Sequence, residues 1–136
     1  MIKWILPIKT VSEMNCTEHW TKKAKRHKQQ QFFVRKLFKK QKAEIKLPCS
    51  VKLTRLAPKL LDSDNLPPSM KFIRDEIAAQ IFPELVIYYK RKGKMYSNKG
   101  QCDNDPRIAW LYDQEKHPTL AVKIEIVFEE DKCSAQ

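Results

Sequence analysis

The sequence predicts an α/β (α+β) fold: one domain in which a mixed β-sheet carries two main helices, in the order β-α-β-α-β-β. Three observations carry this. Residues 119–129 alternate, with Leu120, Val122, Ile124, Ile126 and Phe128 on one side and Lys123, Glu125 and Glu129 on the other, as a half-buried strand requires. Leu66, Met70, Ile73, Ile77 and Ile81 recur at helical spacing. Residues 18–42 are rich in Lys, Gln and Arg and hold neither Gly nor Pro, a composition that favours helix. The chain of 136 residues fits one domain, 1–136, with an ordered core over about 2–129 and a polar tail at 130–136 expected to fray.

The elements follow in order. Ile2 to Lys9 suit a short buried or edge strand, with Pro7 where no ladder bond is needed. The helix over about 18–42 is capped by Thr17 or Thr21. Trp20, Ala24, Phe33, Val34, Leu37 and Phe38 give its second half an apolar face, whereas its first half is basic and expected to be exposed. Pro48 stops it. Residues 50–57 alternate as a strand, with Val51, Leu53 and Arg55 on one side. The second helix, 66–81, opens on Pro67 and Pro68 at first-turn positions and has Asp64 or Asn65 as its cap. Residues 85–89 suggest a strand, 90–100 an exposed basic loop, 107–113 another strand, and His117-Pro118 a turn.

Composition narrows the function. A net charge of +11 and a pI near 9.6 draw a domain of this size towards phosphate backbones. The charge is grouped: Lys22, Lys23, Lys25, Arg26 and Lys28 lead one cluster, and Lys90, Arg91, Lys92 and Lys94 form another. Two glycines and no GxGxxG or GxxxxGK[ST] exclude a glycine-rich nucleotide loop. No apolar run approaches the roughly 18 residues of a spanning helix, and the opening MIKWILPIK does not read as a secretory signal. Cys16, Cys49, Cys102 and Cys133 form no CxxC pair and read as reduced cytosolic thiols. His19, His27 and His117 lie scattered, without an HExxH pattern.

The acids sit at element ends. Asp62 and Asp64 lie between a strand and a helix, and Asp103 and Asp105 lie just before a strand. Carboxylates brought to one point repel unless a hard divalent cation joins them. A basic surface around one acidic pocket suits metal-dependent cleavage of a phosphodiester backbone. The plainer reading treats the same residues as helix caps and turns.

Leu61-Asp62-Ser63-Asp64-Asn65-Leu66, the helix after it with Lys71 and Asp75, and the later Asp103-Asn104-Asp105-Pro106-Arg107-Ile108 together resemble the RusA-type Holliday junction resolvases, over nearly the whole chain. The resemblance implies a dimeric, Mg²⁺-dependent endodeoxyribonuclease of bacterial or phage type, cytoplasmic, that cuts four-way DNA junctions in recombination and repair, with Mn²⁺ as a substitute ion. It implies Asp62, Asp64 and Asp105 as metal ligands and catalytic residues, with Asp103 as the fallback for the third acid. The family lysine follows the second Asp by four residues, where this chain has Pro68, so its role passes to Lys71, one helical turn on. The stretch 82–101 is longer than the family pattern and carries Tyr88, Tyr89 and Tyr96 among basic residues, suited to stacking on bases or to a surface hairpin. Leu60 and Leu61, beside the acids, suit core packing first and, as the alternative, pressing against an opened branch point. The dimer surface is expected at the N-terminal edge strand or the last strand. The rival readings are a non-catalytic DNA-binding module and an RNA-binding protein, neither of which needs the metal.

Overall fold

Strong β-formers at alternating positions build the sheet, and its strand order decides what each strand can bury. The computed structural model describes residues 1–42 and 44–129; the expected frayed tail and Cys133 lie outside them. Four strands, β1 (Ile2–Leu6), β2 (Cys49–Ala57), β5 (Ile108–Lys116) and β6 (Ala121–Phe128), form a mixed sheet in the order β1-β6-β2-β5. Both partners of β6 run antiparallel to it, and β2 and β5 are parallel. A parallel pair needs a crossover between its strands. Here that crossover holds the helices α2 (Leu66–Ser69) and α3 (Lys71–Ile81) and a separate hairpin of β3 (Tyr88–Arg91) and β4 (Lys94–Ser97).

The alternation in β6 holds as expected: Val122, Ile124 and Ile126 are fully buried. They share a core with Val51 and Leu53 of β2, with Val34 and Phe38 of helix α1 (Trp20–Gln41), and with Met70, Ile73 and Ile77. The other face of the sheet is mixed: ion pairs Lys52–Asp113 and Lys123–Glu115 cross it, beside the exposed Ile5 and Leu111. Val34, Ile73 and Ile77 are wholly excluded from solvent, so these are the positions where a side-chain truncation would leave a cavity.

Several local expectations change. The helix over 66–81 is broken at Met70 (φ −118°, ψ 13°), because Pro67 and Pro68 supply a first turn that closes on itself before α3 begins. Neither Asp62 nor Asn65 makes a side-chain cap bond. Helix α1 is capped by His19, whose ring accepts from the Thr21 amide, rather than by a threonine. Its inward stripe continues through the basic half as Arg26 and Gln30; Gln30 donates to the Lys9 carbonyl at 2.8 Å. Residues 85–89 are not a strand throughout: Pro83–Leu85 form a 3₁₀ turn and β3 starts only at Tyr88. The basic stretch after it forms a hairpin, the second of the two expectations for 82–101 and not the open loop expected over 90–100, and it turns at Lys92 (φ 51°) and Gly93 (φ 75°). Two successive left-handed residues are the signature of a tight turn whose twist matches its strands. Leu60 is exposed, not packed in the core, and Leu61 is half-buried. The last strand, β6, lies between β1 and β2, so it offers no free edge to a second copy.

Among the described residues, no helix is long and apolar enough to cross a membrane.

Candidate active site

One turn of α3 gathers the charged side chains of the site. Residues three and four apart share a helix face, so Lys71, Arg74 and Asp75 point the same way. The Lys71 ammonium donates to Asp75 Oδ1 at 2.6 Å and lies 3.4 Å from Asp103 Oδ2. It also reaches the Gly100 carbonyl at 3.3 Å. Arg74 donates from Nε to Asp103 Oδ2 and from Nη1 to the Tyr112 hydroxyl at 2.8 Å. Its guanidinium lies over the Trp110 ring, 4.7 Å from the centroid, and the Trp110 indole donates to the Asp103 carbonyl. Strand β5 therefore supplies one wall, through Trp110 and Tyr112. The six-residue 3₁₀ segment Lys99–Asn104 brings Asp103 in from the other side.

Lys71, Arg74, Asp103 and Tyr112 border an open cleft of about 490 Å³, lined also by Glu13, Pro67, Pro68 and Phe72. Burial raises the Asp75 carboxyl above the usual aspartate range; the Lys71 bond opposes this and the charge of Asp103 adds to it. For Lys71, burial works against the charge, but the bond and charge of Asp75, then those of Asp103, outweigh it and hold the ammonium above its ordinary value. Asp103 is 4% exposed, and its Oδ1 has no hydrogen-bond partner although buried. A buried carboxylate oxygen left open is a donor atom waiting for a proton or a cation.

The acidic turn after β2 is held by a side chain from β5. The Leu61 amide donates to Gln114 Oε1 at 2.9 Å, and Gln114 Nε2 donates to the Leu61 carbonyl at 2.7 Å. Gln114 pairs with Arg55 inside the β2–β5 ladder, and its side-chain amide ties down the chain that has left β2 after Ala57. Arg55, buried, adds a second tie from its side chain to the Lys59 carbonyl and the Thr10 hydroxyl. Asp62 and Asp64 follow directly at the carboxyl end of a parallel strand, the end at which open α/β sheets bind ligands. Both are exposed, and neither caps a helix nor pairs with a cation among the described residues.

The expected site residues thus divide. Lys71 and Asp103 meet in the cleft. Asp105 does not join them: Arg107 grips both of its oxygens at 3.0 Å, and its backbone amide adds a third bond. The Arg107 bonds hold the Asp105 carboxyl below its ordinary value. The 3₁₀ segment ends between the two acids and turns Asp103 inward and Asp105 towards Arg107, so Asp103 replaces Asp105 as the acid facing Lys71. Asp75, Arg74 and Tyr112 were not among the expected site residues. The spacing Lys71–Arg74–Asp75 was the available signal; Tyr112 carried none, because its place depends on strand pairing.

Among the described residues, no three His, Cys, Asp or Glu side chains are grouped closely enough to hold a metal ion. The chemistry of the donors suits a hard cation nonetheless: Asp62 and Asp64 are uncommitted carboxylates, and Asp103 Oδ1 is an unpartnered oxygen.

Of the basic residues, Lys22, Lys25 and Lys28 are exposed on α1 and Lys23 is half-buried. Lys25 and Lys28 line a groove of about 880 Å³ along α1, with Trp20, Phe32 and Arg35 and no carboxylate. Arg26 is corrected: it is buried against Glu13 and Glu18, and its guanidinium is spent on that network rather than on phosphate. Lys90, Arg91, Lys92 and Lys94 are all exposed on the hairpin.

Comparison with family models, with curated proteins and with solved structures finds no match to this chain.

Proposed function

We propose that this chain is a metal-dependent endodeoxyribonuclease acting on branched DNA, in the manner of the RusA-type resolvases it resembles, and that it works in the cytoplasm as a homodimer. The observation that carries the reading is the pair Asp62 and Asp64. In a chain of net charge +11, these two carboxylates stand past the end of β2 with no hydrogen bond or ion pair of their own among the described residues, on a turn braced from two sides. An uncommitted acidic pair amid such a positive field costs little to keep if a cation is to bind there.

Asp62 and Asp64, with water and phosphate oxygens, would hold Mg²⁺ or Mn²⁺; among the described residues no third acid stands close enough to complete a group with them, and Asp103 serves by anchoring Lys71 and Arg74. When bound, the ion would polarise the scissile phosphate and make a water acidic enough to attack at neutral pH. The chain's own residues do the rest. Lys71 and Arg74 present positive charge at the cleft where a phosphate oxygen gains charge. Asp75 orients Lys71, and Tyr112 orients Arg74. Lys22, Lys25, Lys28 and the hairpin cations contact the backbone at a distance from the chemistry. Paired cuts across a four-way junction need two such clefts related by a two-fold axis.

The test is cleavage of a labelled synthetic four-way junction, against linear duplex, in Mg²⁺ and in EDTA. Paired nicks that require the metal, and that vanish in Asp64→Asn and Asp103→Asn but survive in Asp105→Asn, are expected. A second reading, a structure-selective DNA-binding module without catalysis, draws support from the absence of a three-acid group among the described residues and from the neutralisation of Asp103 by Lys71 and Arg74. Tight junction binding with no nicks in Mg²⁺ or Mn²⁺ would establish it and refute the nuclease.

A further inference from the structure

The β3–β4 hairpin is an independent sheet that pairs with no strand of the main one. Seven of its eight strand residues are exposed. A lone two-stranded hairpin is marginal in water, and this one displays Tyr88, Tyr89, Met95 and Tyr96 to solvent. Tyr89 pairs with Tyr96 across the strands, and the rings stack with centroids 5.8 Å apart and planes 21° apart. The next pair on that face is Arg91–Lys94. Tyr89, Tyr96, Arg91 and Lys92 line a shallow notch of about 320 Å³. No acidic residue lies between Glu84 and Asp103, a stretch with five basic ones.

We propose that this face of the hairpin binds unpaired nucleotides, the tyrosine pair stacking on bases while Arg91, Lys92 and Lys94 hold the flanking phosphates. The inference rests on the preceding reading only in taking nucleic acid as the partner, and it is independent of cleavage. Aromatic faces beside a line of cations are the two elements of single-strand recognition: stacking accepts any base, and the cations track the backbone. Duplex DNA hides its base faces, so it can use the cations but not the rings. A second copy of the chain suits the surface poorly, because a two-fold contact would set Arg91, Lys92 and Lys94 against their own equivalents. At a branched substrate, the nucleotides without a stacking neighbour lie at the branch point, which gives the hairpin a feature to select.

The experiment uses the full chain in EDTA, where no cleavage intrudes, with fluorescein-labelled poly(dT) and a blunt duplex of equal length as probes. Tyr89→Val and Tyr96→Val keep strand preference while deleting the ring. Each is expected to weaken single-strand binding about tenfold and duplex binding less than about twofold, within the usual range for one base–aromatic stack. Tyr89→Trp restores or exceeds wild-type affinity. Lys92→Gln weakens both probes and flattens the salt dependence of both. Equal losses on single strand and duplex from the valine variants, or no loss on either, would overturn the proposal. So would sedimentation showing that the valine variants lose dimerisation but not nucleic-acid binding, which would assign the face to a second copy. Because nothing is cleaved, failure here leaves the nuclease reading standing, and failure of the Asp64→Asn cleavage test leaves this one standing.

Discussion

Replacing Gln114 by alanine removes two bonds that no other described residue supplies to Leu61. A net intramolecular hydrogen bond contributes about 0.5–1.5 kcal/mol, and two give about 1–3 kcal/mol. Leu61 is half-buried, so water replaces part of the loss and the expectation falls to about 1–2 kcal/mol. That cost is local: it falls on the turn carrying Asp62 and Asp64, not on the core. Native-state hydrogen exchange reads it directly. The Leu61 amide is expected to exchange about 5- to 30-fold faster in Gln114→Ala, while the Ile124 amide at the sheet centre keeps its wild-type protection. Gln114→Glu retains the acceptor for the Leu61 amide and loses the donor to its carbonyl, so it should fall between the two. Leu61 exchange within about twofold of wild type in Gln114→Ala would refute the claim that this side chain braces the acidic turn. Equal acceleration at Leu61 and Ile124 would refute it too, since the effect would then be global.

Ile77→Ala should lower unfolding free energy in urea by about 2–5 kcal/mol, because Ile77 is wholly buried between α3 and the sheet; a loss under about 1 kcal/mol would mean the site is not packed as described. Asp105 is a case for pH. Arg107 depresses its folded pKa below the ordinary 3.8, so its stabilising contribution is complete above that value and disappears as pH falls through the lower folded one; Asp105→Asn should lose less stability than wild type on acidification below about pH 4. Burial gives Asp75 the opposite sign: its folded pKa is raised, so the stability linked to it is complete below the ordinary value and lost as pH rises through the folded one, and Asp75→Asn should abolish that loss in urea titrations run across the range. Gly93→Ala places a Cβ in open space but in a left-handed backbone (φ 75°), so it should cost the hairpin about 1 kcal/mol while the melting of the main sheet is unchanged.

The parts of the fold legible in the sequence are those governed by local period. The alternation in β6 and the spacing of Met70, Ile73 and Ile77 each answer to one buried face, and both hold. A surface hairpin is one of the two readings the 82–101 stretch allows, but its strand bounds and turn are not legible, because Lys92-Gly93 is a weak turn signal beside Asn-Gly and five cations around it also suit a solvated loop. Arg26 misled for a different reason. Its partners Glu13 and Glu18 precede the helix, so nothing in the periodicity of α1 shows that this one cation of the basic run turns inward. The choice between Asp103 and Asp105 was beyond the sequence as well, since both stand just before the same strand and only the 3₁₀ segment separates their directions. Lys71 and Pro68, the position where the resemblance would put the lysine, line the same cleft although the helix breaks between them at Met70. The parallel pairing of β2 with β5, which brings Tyr112 and Gln114 to the site, has no local signature at all.

Asn98 joins the two ends of the hairpin segment. Its side chain accepts from the Ile87 amide at 2.7 Å and donates to the Leu85 carbonyl at 2.9 Å, while its backbone amide bonds the Ile87 carbonyl. Everything from residue 88 to 97 therefore leaves and re-enters the body of the molecule through one clasp. Length and composition beyond that clasp can change without repacking a single core side chain, so the ribbon behaves as an exchangeable cassette. A grafted ribbon of another length or composition would leave the Lys71–Asp103 cleft and the main sheet as they are.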